Sequence, residues 1–276
     1  MASHLVERNA LKDARFCTPT MIKVASLLNS VDIPNILWWN SVIDIYGIPT
    51  GDIEMSFVVD RSHLQRATET LIHAGLVPCA ASNCHHRAPV TEDGRTFCNP
   101  AVHFHISFLG DEINMWPSIQ LHIKDERLWA LPLENDTTTF SDSENIIFAD
   151  DARLPPNNQH PILGNETSRG KCRHHPGTPV RIPTPERYAE ALLLLAIRDR
   201  GFSAATSWLS QFNYLLECDL IDPDKVNEPT RQFMVFPPPV STIDSLDKAQ
   251  AVLGDLAMQG VAHAEWAKGR RPKRYR

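Results

Sequence analysis

At 276 residues and 31.0 kDa, with 42% hydrophobic, 22% charged and 8% aromatic residues, the chain has the composition of a globular protein and excludes a wholly disordered, collagenous or coiled-coil one. Its length fits one large domain or two small ones, either able to bury a core without a cofactor. The formal net charge of −6 is unevenly spread: six of the nine residues 268–276 are basic, so residues 1–267 carry −12. An acidic body is a poor surface for nucleic acid, because phosphate affinity comes from neutralisation by Lys and Arg. Only the basic tail could touch RNA, a membrane surface or an import receptor, and a solvated tail is the simpler reading. No run of 18 apolar residues and no leader pattern occurs, so neither a membrane span nor secretion is expected. The six cysteines are too few and too irregularly spaced for a disulfide framework, which points to reduced thiols and a cytoplasmic protein.

Along the chain, Thr18 and Pro19 predict an N-cap and a first-turn proline. Met21, Val24, Leu27 and Leu28 follow at helical spacing, and the helix should end near Asn29. Residues 36–38 predict a short buried strand, 41–46 a short helix, 47–51 a turn and 52–59 a second strand. Asp52 and Glu54 stand two apart on that strand, so their carboxylates project from one side, about 6.5–7 Å apart along it. A helix over 62–73 has Leu64, Ala67, Leu71 and Ile72 as its inner face and Gly75 at its C′ position. Residues 102–109 and 119–123 read as further strands around a turn at Gly110.

From 132 to 182 the pattern dissolves into polar residues broken by Pro155, Pro156, Pro161, Pro176 and Pro179, which reads as a long loop or insertion. Thr184, Pro185 and Glu186 start a helix running to about Asp199, and 203–218 and 243–261 predict two more. The expected fold is α/β in the mixed sense. A small twisted mixed sheet with flanking helices occupies 1–131, a proline-rich insertion 132–182, a helical region 183–267 and a basic tail 268–276.

Strand, short helix, glycine-containing loop and acidic strand follow one another in ILWWNSVIDIYGIPTGDIEMSFVV, residues 36–59. This segment resembles the front of nucleotidyltransferase-fold proteins of the minimal, antibiotic-modifying type, fungal members included. The segment RIPTPERYAEALLLLAIRDRG, residues 181–201, is similar to the helix that begins their C-terminal part. The resemblance implies transfer of a nucleotide from a nucleoside triphosphate to a hydroxyl or amine of a small-molecule substrate. Magnesium or manganese would bridge the phosphates, with Asp52 and Glu54 as metal ligands. Ser41, with Asn40 beside it, would contact phosphate, and Arg187 would add positive charge.

The family's Gly-Gly or Gly-Ser turn, which lets backbone N–H groups approach phosphate, here reads Trp38, Trp39, Asn40, Ser41. A third carboxylate is expected from a strand beside the acidic one. The best-placed strand carries His103 and His105 instead, so His105 would complete the metal shell or act as a base. Three functions follow: metal-dependent nucleotidyl transfer, a binding protein on the same scaffold without transfer, or a repurposed acid–base enzyme using His103 and His105 with Asp52 and Glu54.

Cys79, Cys84, His85, His86, Cys98, His103 and His105 place seven soft ligands within 27 residues. Cys79, Cys84, Cys98 and His103 could hold a structural zinc ion, although their spacing is not that of paired knuckles. Residues 80–100 are expected as a loop over the site rim. His174 and His175 beside Cys172 form a lesser cluster. No nucleophile elbow, phosphate-cradling P-loop, dinucleotide fingerprint or HExxH helix is present.

Overall fold

Thirteen residues after a proline-punctuated start form the first helix, α1 (Thr18–Ser30), which buries Met21, Val24, Ala25, Leu27 and Leu28. Cys17 rather than Thr18 is its N-cap residue, and Pro19 sits in the first turn, where no backbone N–H is needed. The computed structural model describes residues 8–48, 50, 53–81, 84, 86, 99–107, 117–131, 145–154, 175–200, 203–235 and 240–259. Asp52, His85, Cys98, Cys172, His174, the turn at Gly110 and the basic tail lie outside the described residues. The protein is mixed α/β and divides into two units. The first comprises residues 1–80, 100–124 and 133–183, and the second 81–99, 125–132 and 184–276.

The first unit is built on a four-stranded sheet. β1 (Asn35–Trp38) runs through Trp39 into α2 (Asn40–Tyr46), and β2 (Glu54–Val59) returns antiparallel to β1 with Trp38 opposite Ser56. α3 (Leu64–His73) follows a 3-10 turn at Arg61–His63. β3 (Val102–His105) and β4 (Ser118–Ile123) complete the order β1-β2-β4-β3. β4 lies parallel to β2 and antiparallel to β3.

This order corrects one expectation, since the strand beside the acidic one is β4 and not the histidine-bearing β3. The reason lies in burial. All six residues of β4 are buried, whereas β3 is buried only at its two central positions, the pattern of a strand nearer the rim. Strand 102–109 also ends earlier than expected, at His105.

In-register partners share a sheet face. Leu37, Met55, Phe57, Val59, Ile119, Leu121, Ile123 and Phe104 therefore form one apolar face, all of them buried. The opposite face carries Glu54, Ser56, Ser118, Gln120, His122, His103 and His105, together with the buried apolar Ile36, Trp38 and Val58.

α3 buries Ala67, Thr70 and Leu71, while Ile72 is 44% exposed, so the inner face is narrower than its spacing predicts. Past its end Gly75 has φ +102, and a Cβ there would meet the Lys12 backbone at 3.0 Å. Replacing Gly75 by alanine is expected to destabilise the protein by about 1–3 kcal/mol through this backbone conformation alone. Equilibrium urea unfolding measures that loss.

Within the proline-rich stretch, β5 (Ile146–Phe148) and β6 (Arg181–Pro183) form an antiparallel pair where only a loop was expected. Strands of three residues are too short to show a period. Tyr46 Oη donates to the Pro183 carbonyl at 2.5 Å, and Arg181 Nη1 donates to Asn29 Oδ1 at 3.3 Å, tying the pair to α2 and α1.

The second unit is helical, with α4 (Lys124–Arg127), α5 (Pro185–Arg198), α6 (Ser203–Glu217) and α7 (Leu246–Gln259). Thr184 caps α5, its Oγ1 accepting from the Arg187 backbone N–H. Twelve of the 14 residues of α5 are buried, as expected of a helix enclosed by others. At its end Arg198 donates to both carboxylate oxygens of Asp199, at 2.6 and 2.9 Å, and Trp208 Nε1 donates to the same carboxylate at 2.8 Å. No helix among the described residues is long and apolar enough to cross a membrane.

Candidate metal centre and polar sheet face

Four side chains converge at the β3 side of the polar sheet face. His103 and His105 stand two apart on β3, so both point the same way, with ring centroids 5.1 Å apart and the rings nearly perpendicular. The segment before them folds back against the strand: Pro78 bridges Phe104, and the Cys79 N–H donates to the His103 carbonyl at 3.0 Å. Cys84 follows five residues later, its N–H donating to the Ala81 carbonyl in a turn. The ligand atoms of Cys79, Cys84, His103 and His105 all lie within 4.8 Å of one another, with Cys84 and His103 buried. These two thiols and two imidazoles could hold a metal ion.

The chemistry of the donors narrows the kind of ion. Thiolate sulfur and imidazole nitrogen suit zinc and other soft or borderline cations, whereas magnesium takes oxygen ligands. The quartet shares Cys79, Cys84 and His103 with the spacing-based set and adds His105; Cys98 lies outside the described residues. Both histidines of one strand face are therefore used, which the alternation in Val102–His105 could have signalled.

Across β4 from these histidines lies the rest of the polar face. In register the rows run Glu54–Ser118–His105 and Ser56–Gln120–His103. Gln120 joins the rows, with its Nε2 donating to Ser118 Oγ at 3.0 Å and its Oε1 3.0 Å from His122 Nε2. Ser56, Ser118, Gln120, His122 and His103 are each less than 5% exposed. Polar side chains are costly to bury unless hydrogen-bonded, a cost that the bonds centred on Gln120 offset for Ser56, Ser118 and His122. Ser56, Ser118, Gln120 and His122 were absent from the sequence-based candidates, although the polar-apolar alternation of Ser118–Ile123 carries the signal.

Glu54 sits at the mouth of β2, and burial holds its carboxyl above the ordinary glutamate range, partly offset by a hydrogen bond with Gln120. A carboxyl shifted this way keeps its proton to higher pH and can act as a general acid. The same shift sets a pH dependence. The folded state binds this proton more tightly than the unfolded state, so stability falls as pH rises from the ordinary glutamate pKa, about 4.3, through the raised value. Glu54→Gln is expected to remove that loss, leaving a flatter melting temperature between pH 4 and 8. Thermal scans of both proteins across that range check it.

Ser41 is buried, and its Oγ donates to the Glu54 carbonyl at 2.9 Å, so it seats α2 against the start of β2. Asn40 begins α2, its carbonyl accepting from Thr50 Oγ1 at 3.5 Å. Arg187 belongs to the second unit, paired with the Glu190 carboxylate and donating to the Lys225 carbonyl at 2.8 Å. Asp52 is outside the described residues. Around Glu54 the register partners on β4 and β3 are the Ser118 hydroxyl and the His105 imidazole.

Trp39, between β1 and α2, has φ 70 and ψ −149, a region that glycine occupies readily and other residues only under strain. It stands in the turn where the resemblance leads one to expect glycine.

No protein-family model matches the chain, and neither a curated protein nor a solved structure does.

Proposed function

We propose that the protein is a zinc-binding acid–base enzyme acting on a small molecule at the polar sheet face of its first unit. The observation carrying this reading is the single cross-strand row Glu54–Ser118–His105. It sets a protonatable carboxyl and a member of the Cys/His quartet on one face of one sheet. Zinc held by Cys79, Cys84, His103 and His105 would have four protein ligands, the closed shell of a structural site, and would pin residues 79–84 to β3. Zinc supplies rigidity there. The proton chemistry falls to Glu54, with Gln120 orienting its carboxyl and His122 within the same hydrogen-bonded set. Cys79 and Cys84 ligate as reduced thiolates, which fits a cytoplasmic setting.

Metal content of the purified full chain tests the reading. About one equivalent of zinc is expected in the wild type, and much less in Cys84→Ser and His105→Ala, as a four-ligand structural site requires. Zinc far below one equivalent in wild-type protein prepared without chelator removes the centre and the reading with it.

A second reading, a nucleotidyltransferase-like scaffold that binds a nucleoside triphosphate, draws its support from Trp39. A strained aromatic residue in the strand-to-helix turn is the arrangement left when a glycine turn has been replaced. Calorimetry with ATP and the other triphosphates, with magnesium, manganese or neither, separates the two. Metal-dependent triphosphate binding lost in Asp52→Ala with Glu54→Ala favours transfer, metal-independent binding favours a binding protein, and no binding leaves the acid–base reading.

A further inference from the structure

We propose that Cys79 and Cys84 are an oxidation site that controls the metal: hydrogen peroxide joins them as a disulfide and the zinc leaves. The inference deepens the reading of the quartet as a zinc centre and rests on it. Both cysteines are free, and their sulfurs lie within 4.8 Å of one another and of one ring nitrogen each of His103 and His105. A disulfide needs its sulfurs at about 2.05 Å, so closing one takes a further approach of less than about 3 Å. The backbone beside each sulfur is already held, with the Cys79 N–H on the His103 carbonyl at 3.0 Å and the Cys84 N–H on the Ala81 carbonyl at 3.3 Å.

The two thiols are unequally placed. Cys79 is half-buried and Cys84 is buried. Oxidation follows thiolate character and access, and a metal holds its cysteine ligands as thiolates. Cys79 is therefore the sulfur that peroxide reaches first, and Cys84 the one that resolves it. The Cys79 thiolate attacks one peroxide oxygen, the O–O bond breaks, and a sulfenic acid and a hydroxide ion form. The Cys84 thiolate then attacks the sulfenic sulfur, forming the S–S bond and expelling a second hydroxide ion. The two sulfurs together give up two electrons, which the peroxide receives, and two protons from solvent turn both hydroxides into water.

The fate of the metal follows from what remains. The step consumes both anionic donors, and it is the thiolate that ligates metal. His103 and His105 alone supply half of the four donors that a tetrahedral zinc site needs. A thiol reductant reverses the step by exchange, which returns both thiolates to the cluster.

Peroxide treatment of the full chain, purified with its metal, tests this. Zinc content is measured first, zinc release is then followed with a chromogenic chelator, and the product is alkylated and digested with trypsin without reductant. Residues 67–87 form one tryptic peptide that holds both cysteines, whereas Cys98 falls on another. One zinc released for each peptide 67–87 found lighter by the mass of two hydrogens is expected, and dithiothreitol with added zinc should restore both. Cys98→Ser should release zinc at the wild-type rate and form the same disulfide. Four outcomes overturn the switch and leave the zinc centre standing: metal and thiols both retained under peroxide, a disulfide formed with zinc retained, release accompanied by sulfinic acid instead of a disulfide, or a cross-link from peptide 67–87 to Cys98. A wild type that holds no zinc before peroxide is added overturns both.

Discussion

Chelator treatment of the folded protein, or replacing Cys84 by serine, is expected to lower the melting temperature by about 8–16 °C on the proposal that the quartet holds zinc. A ligand present at a thousand times its dissociation constant contributes about 4 kcal/mol to the folded state, and each kcal/mol moves the midpoint of a chain of this size class by about 2–4 °C. Cys84 is the buried thiol of the quartet, so serine there removes a soft ligand with little change in volume. Zinc returned after chelation should restore the wild-type midpoint and leave Cys84→Ser where it was. Cys218→Ser, which changes a free thiol in the helical unit, serves as the control and should not respond to chelator. Differential scanning fluorimetry reads all four cases, and a wild-type midpoint indifferent to chelator would end the case for the centre.

Asp199→Ala is the most damaging single change expected in the helical unit, with a loss of about 3–5 kcal/mol. The Arg198 and Asp199 side chains are 1% and 6% exposed, and the pair is bidentate. Arg198 also donates to the Glu126 carbonyl at 2.5 Å and lies over the Trp129 ring, 5.2 Å from its centroid. Removing the carboxylate strands a buried guanidinium and leaves the Trp208 indole N–H without its acceptor. Replacing both members of the pair by apolar residues is expected to cost less than Asp199→Ala alone, because no charge is then left buried. Urea denaturation of the two variants decides it, and equal losses would mean that the pair acts through packing.

How much of this was legible in the sequence depends on whether the signal was local. α1, α2, β1, β2, α5 and α6 announce themselves through period, caps and prolines, and the structure places each within a few residues of its expected bounds. Sheet order was not legible, because strand adjacency is a non-local choice. β4 won the place beside β2 through continuity of its Ile119, Leu121 and Ile123 with Met55, Phe57 and Val59, a match visible only once the register is known. β5 and β6 were hidden by their brevity among prolines. The candidate metal ligands were partly legible: the stretch holding them stood out, and Cys79, Cys84 and His103 of the spacing-based set lie together with His105, while Cys98 and His85 lie outside the described residues. Glu54 was singled out for its spacing from Asp52, whereas the structure gives it interest for its burial and for Gln120, a residue 66 positions away.

The strand synthesised last goes into the middle of the sheet. β3 precedes β4 in the chain, yet among the described strands it pairs along its length with β4 alone. On the ribosome, then, His103 and His105 emerge before β4, held to earlier segments through the bridges Pro78–Phe104 and Arg15–Ser107 and the bond from the Cys79 N–H to the His103 carbonyl. Translation delivers the ligands first and the scaffold afterwards. Pairing with Ser118–Ile123 fixes the register of Val102–His105, so the alignment of His103 and His105 that the proposed centre needs depends on a strand made after them.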